Sequence, residues 1–193
     1  IDRGGPSAYV YSPYFDAWSA CPYQKIKWIV SDIIGVTPST ISVNVEGVRY
    51  EYPDHLALRG DTIIFTPTTP FVDGDIVSHI LLSVDDVYGN HLTETVSSRF
   101  NMDMTPPVIS SIAPPSGTFI GGGTMDFDIA VTDAGAGVDL TGATVSFRTY
   151  ESSSGFSWDG SSFSCTIDMA STGLVFMDNE NLDVCFEIGD LVS

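Results

Sequence analysis

The chain has 193 residues, with 25 acidic against 7 basic side chains for a net charge of −18, and it is 43% hydrophobic and 11% aromatic. That composition builds a core, and the length spans one to two ordinary domains. A surface this acidic repels phosphate backbones and anionic bilayers; it excludes nucleic acid and membrane insertion and draws cations instead.

The acid is uneven. Before Thr105 there are 13 acidic and 6 basic residues; from there on there are 12 acidic residues and one basic, Arg148. No apolar run reaches membrane-spanning length and no signal peptide opens the chain. The chain starts at Ile1 rather than Met, and both ends read as cuts from something longer.

Prolines and glycines (11 and 18) punctuate the chain, and no stretch carries helical periodicity, so the pattern is all-β. In chain order, strands are expected near 7–11, 25–31, 40–45, 48–52, 62–66, 76–84 and 92–100. Ile80, Leu82 and Val84 alternate with Leu81 and Ser83, as a half-buried strand requires. Glu46-Gly47 and Asp159-Gly160 fall between strand-like runs and mark hairpins, and Tyr88-Gly89-Asn90 marks a further turn. About seven short strands in about a hundred residues is the pattern of a β-sandwich.

The chain also repeats itself. Asp2, Pro6 and Pro13 recur as Asp103, Pro107 and Pro114, and the run Ile26–Asp32 recurs as Phe127–Asp133, all at an offset of 101. Gly35-Val36 matches Gly137-Val138 at 102. Ile41-Ser42-Val43 matches Val145-Ser146-Phe147, and Ile80–Val84 with Asp86 matches Val184–Ile188 with Asp190, both at 104. The expected domains are 1–103 and 104–193. They are joined through the semi-rigid Thr105-Pro106-Pro107, and the second lacks the counterpart of the last strand of the first. That absence leaves an open sheet edge unless a neighbouring chain or segment covers it.

The run Asp103-Met104-Thr105-Pro106-Pro107-Val108-Ile109, then Pro114-Pro115-Ser116-Gly117, Val131-Thr132-Asp133 with Gly137-Val138-Asp139, and Val84–Asn90 before a final strand resemble the bacterial immunoglobulin-like repeats of large surface and secreted proteins. The first domain departs from that pattern at Gly4-Gly5-Pro6, where a double proline is usual. The resemblance implies two tandem immunoglobulin-like β-sandwich domains in an extracellular or cell-surface protein, serving as spacer or adhesion module or as accessory module of a secreted enzyme. The expected partners are neighbouring domains of the same polypeptide, a cell-surface protein or a glycan.

In such a sandwich the entry segment, the loop after the second strand and the loop after the sixth share one end. That end gathers Asp2, Asp32 and Asp86 in the first domain and Asp103, Asp133 and Asp190 in the second. With Asn101, Asp139 and the lower loop Asp73-Gly74-Asp75 they form a candidate calcium clamp at the domain joint, since Ca²⁺ takes six to eight oxygen ligands. The competing reading is structural, because Asp is a common turn residue and no EF-hand loop is present. A second candidate is an aromatic sugar-stacking surface of Tyr14, Trp18 and Tyr23.

Catalysis finds little support. His55, His79 and His91 lack ligand spacing, adjacent Asp54 and His55 are not expected to share a site, and no nucleophile elbow occurs. Cys165 and Cys185 fall in one domain and either pair, leaving Cys21 free, or remain buried thiols.

Overall fold

The computed structural model describes residues 3–119, 123–175, 177 and 180–192. The chain divides into two compact units, one of Ile1–Met104 with Val192–Ser193 and the other of Thr105–Leu191. No described helix is long and apolar enough to cross a membrane.

Among its described residues the first unit has nine strands: β1 (Ser7–Ser12), β2 (Ala17–Ser19), β3 (Ile26–Ser31), β4 (Val36–Val45), β5 (Val48–Glu51), β6 (Leu56–Arg59), β7 (Thr62–Phe65), β8 (Ile76–Asp86) and β9 (Val96–Met102). One sheet has the order β1-β3-β7-β6 and the other β2-β9-β8-β4-β5. Each expected strand is present. Two more, β2 and β6, were not foreseen, because runs of three and four residues are too short to show a period. β2 pairs parallel with β9, so the entering chain crosses from one sheet to the other after β1. This order is that of an immunoglobulin-like sandwich.

Alternation fills the core. Ile26, Trp28 and Val30 of β3, with Ile63 and Phe65 of the neighbouring β7, face Ile41, Val43 and Val45 of β4 and Phe100 and Met102 of β9 in one cluster. On β8 the buried set is Val77, His79, Leu81 and then Val84, so of the alternating Ile80, Leu82 and Val84 only Val84 points fully inward. The cause is a break in register between β4 and β8, where Ser42 opposes Ser83 but Val43 opposes Leu81; the extra residue, Leu82, turns the side chains over. At the β4–β5 hairpin Glu46 and Gly47 both have positive φ, 51° and 79°, the geometry that continues strand twist through a two-residue turn.

The second unit repeats the plan with β10 (Val108–Ala113), β11 (Thr124–Thr132), β12 (Val138–Phe147), β13 (Tyr150–Ser152), β14 (Phe156–Trp158), β15 (Ser162–Asp168) and β16 (Cys185–Asp190). Its sheets run β10-β11-β15-β14 and β13-β12-β16. A separate cluster of Met125, Phe127, Ile129, Val131, Val145, Phe147, Phe163 and Ile167 fills it. Asp159 caps the β14–β15 hairpin by accepting from the N–H groups of Ser161 and Ser162.

The structural offset between β4 and β12 is 102, with Ile41, Val43 and Val45 answering Ala143, Val145 and Phe147 in burial. This corrects the sequence match at 104, which was two residues out. A slip of two preserves strand alternation and so leaves no mark in the pattern.

All three cysteines are free thiols. Cys165 faces the core from β15 while Cys185 lies on the exposed side of β16, so no bridge joins them and only one of the two is buried. Burial pushes the Cys165 thiol up to about 11, with the nearby Asp126 carboxylate adding to it.

Candidate metal centre

The best-formed acidic site in the second unit grows from the turn after β11. Oδ1 of Asp133 accepts hydrogen bonds from the N–H groups of Gly135 (2.8 Å) and Gly137 (3.0 Å), which curls the chain into β12. Gly137 has φ 97°, a conformation that L side chains rarely adopt. Its carbonyl accepts from Leu191 N–H, and Asp190 pairs with Val138, so the end of β16 is sewn to this turn.

Carboxylate oxygens of Asp133 and Asp190 thereby come within 4.8 Å of one another. Oδ2 of Asp133 is buried and accepts no hydrogen bond from the described residues. Two half-buried carboxylates this close repel, and a cation between them converts the repulsion into attraction.

The other sequence candidates are placed as follows. Asp139 pairs with Gly189 across β12 and β16, and its carboxylate accepts from the N–H and Oγ1 of Thr141. Those two bonds hold its carboxyl below the usual carboxylate range. Asp103 is buried in the first unit, where its N–H donates to the Ser19 carbonyl. Asp73 accepts from Met104 N–H at 2.7 Å, and the exposed Asp75 uses its carbonyl to hold Met102 N–H. The Asn101 amide donates to the Asp16 carbonyl. Asp32 accepts from Ile34 N–H at 2.9 Å. Asp2 lies outside the described residues.

Asp86 is fully committed to its turn. Oδ1 accepts from Tyr88 N–H and Asn90 N–H at 2.8 Å each, and Oδ2 accepts from the Asn90 amide. Burial, the largest single influence, pushes its carboxyl up. The hydrogen bonds from Asn90, Tyr88 and Gly89 together outweigh this and hold it below the usual range. The first unit thus satisfies its strand-ending Asp86 with Asn90. The sequence marked Asn90 only as a turn residue; its place four residues after a strand-ending Asp was the available signal.

Of the proposed sugar-stacking residues, Tyr14 and Tyr23 are exposed, while Trp18 is half-buried on β2. Tyr9 and Tyr11 on the outer face of β1 and Phe15, which lies 5.1 Å under the Arg99 guanidinium, are also exposed. Among the histidines, adjacent Asp54 and His55 do meet, at 3.3 Å, and His91 Nδ1 lies 2.8 Å from Asp85.

No family model matches the chain, and no curated protein matches its sequence. Among solved structures it is similar to a chimeric titin Z1Z2 carrying an exogenous decorin peptide, at 13% identity over 96% of each chain with a TM-score of 0.40. It is also similar to dimeric latent PorU from Porphyromonas gingivalis, at 15% identity and TM-score 0.39 over all of this chain and 17% of that one. A third is the S-layer protein rSbsC(31-844), at 16% identity and TM-score 0.32 over 75% of this chain and 21% of that one.

Proposed function

We propose that the chain is a non-catalytic tandem segment of an extracellular bacterial protein, a spacer or adhesion module whose first partners are neighbouring domains of the same polypeptide. The observation that carries this reading is the duplication itself: one sandwich plan is built twice, each copy around its own core. The resemblance to bacterial immunoglobulin-like repeats supports the setting.

Within this reading Asp133 and Asp190 hold Ca²⁺, with water and main-chain carbonyls supplying the remaining ligands. The open Oδ2 of Asp133 and the closeness of Asp190 support it. Thermal unfolding of the full chain with added Ca²⁺ and with chelator is the test. Ca²⁺ is expected to raise the melting temperature of the second unit, and Asp133→Asn or Asp190→Asn to abolish the rise; an unchanged melting temperature removes the ion from the account.

A second reading, a carbohydrate-binding accessory module, draws on the exposed Tyr14 and Tyr23. A glycan-array screen decides it: binding that survives Tyr14→Ala and Tyr23→Ala removes that surface.

A further inference from the structure

The outward faces of the corresponding sheets differ in charge between the two units. In the first, β1, β3, β7 and β6 carry no Asp or Glu. In the second, β11 and β15 turn Asp126, Asp128 and Asp168 outward, and the four strands hold no Lys or Arg. One outward row of the first sheet runs Tyr9, Ile29, Thr62, Arg59 across its four strands. Beside it Lys27 stands opposite Ile64, and Tyr11 occupies the bulge where β1 shifts against β3. Tyr9 is 58% exposed and Tyr11 46%.

Among the described residues neither Lys27 nor Arg59 forms an ion pair, whereas Arg49, Arg99 and Arg148 are paired with Glu51, Asp16 and Glu180. In a chain of net charge −18, these cations, beside exposed tyrosines and with no carboxylate on their strands, mark a face that accepts an anion. Its extent decides the kind of partner. Strands ~4.8 Å apart and about four residues long at ~3.4 Å per residue give a four-stranded face of roughly 200 Å². A stable protein interface buries about 800 Å² on each side. A short run of sugar rings fits the smaller area.

We propose that the outward face of the β1-β3-β7-β6 sheet binds an acidic glycan, a chain of carboxylated sugars. The rings of Tyr9 and Tyr11 take the C–H faces of the sugars, and their hydroxyls reach the sugar hydroxyls. Arg59 offers a planar fork to a carboxylate and Lys27 a point charge. Repulsion from the rest of the acidic chain is screened beyond about 8 Å at about 0.15 M salt, so the local sign of the face decides. The site uses neither Tyr14 nor Tyr23, and the spacer reading does not depend on it.

The test uses the full chain at about 0.15 M salt, with oligomers of galacturonic acid, their methyl esters and poly-glutamate as probes. Amide chemical-shift mapping should place the oligogalacturonate on β1, β3, β6 and β7. Its Kd should rise at least ~10-fold on methyl esterification and in the double variant Lys27→Gln, Arg59→Gln. The double variant Tyr9→Ala, Tyr11→Ala should lose as much, with unchanged core shifts showing that the fold persists. Tyr14→Ala with Tyr23→Ala should leave binding unchanged. No shift on these strands at oligomer concentrations on the order of 10 mM overturns the proposal. Equal binding of the methyl ester, of poly-glutamate or by the Tyr9, Tyr11 variant overturns it too. Shifts centred on Tyr14 and Tyr23 instead would move the sugar to that surface and likewise overturn it.

Discussion

His79 lies at the centre of the first core, its ring edge-on to Trp28 at 5.3 Å and tilted against Phe100 at 6.0 Å. Among the described residues neither ring nitrogen has a hydrogen-bond partner, nor does Trp28 Nε1. Burial in this apolar setting lowers the His79 pKa to about 4. Between that value and the ordinary 6.5 the unfolded chain binds the proton and the folded chain does not, so stability falls as pH drops through this window, by roughly 3 kcal/mol over its full extent. His91 works in the opposite sense: hydrogen bonding to Asp85, then its charge, raises the His91 pKa, and that contribution is lost as pH rises. Comparing His79→Leu with the parent in urea melts at pH 7 and pH 5 isolates the buried ring. The variant should lose most of the acid sensitivity, and an unchanged pH dependence would refute the assignment. Gly5 explains the departure from the double proline at the start of the first unit. A Cβ there would lie 1.7 Å from the His91 carbonyl oxygen, so the turn after β8 leaves no room for a side chain. Gly5→Ala should lower the first unit's stability by about 1–3 kcal/mol, read by denaturant melts. None of this was legible in the sequence, because His79 and Gly5 take their meaning from residues brought to them by the fold.

At the level of elements, legibility followed length and period. β3, β4, β7 and β8 carry enough alternating apolar residues to be seen, and the Glu46-Gly47 hairpin announces itself through turn chemistry. The bulge opposite Ser42 and the offset between β4 and β12 were invisible, since one depends on a cross-strand partner and the other on a slip that keeps the phase. The acids split along similar lines. Their gathering at one end was inferred from strand order, but whether a carboxylate serves its own turn or faces another is a matter of ångströms: Asp86 is satisfied by Asn90, while Asp133 keeps one oxygen open. At the hairpin, Gly47→Val should destabilise the first unit by about 1–2 kcal/mol in equilibrium unfolding, because a β-branched residue is placed at φ 79°. A neutral outcome would mean that the turn relaxes to another type.

The molecule as a whole is a duplication in which each copy carries its own core, with no residue shared between the two clusters. Trp28→Ala and Phe163→Ala should each cost about 3–5 kcal/mol, the first acting on the unfolding of residues 1–104 and the second on that of residues 105–191. The repeat in the sequence pointed to this organisation. Strand-resolved amide hydrogen exchange on the full chain tests the two-sandwich account most directly. Slow exchange is expected at the paired amides of β3, β7 and β8 in the first unit and of β11, β12 and β15 in the second, with β16 faster than β8. Exchange in β11, β12 and β15 as fast as in the connecting loops would contradict it, because the second copy would then have no core of its own.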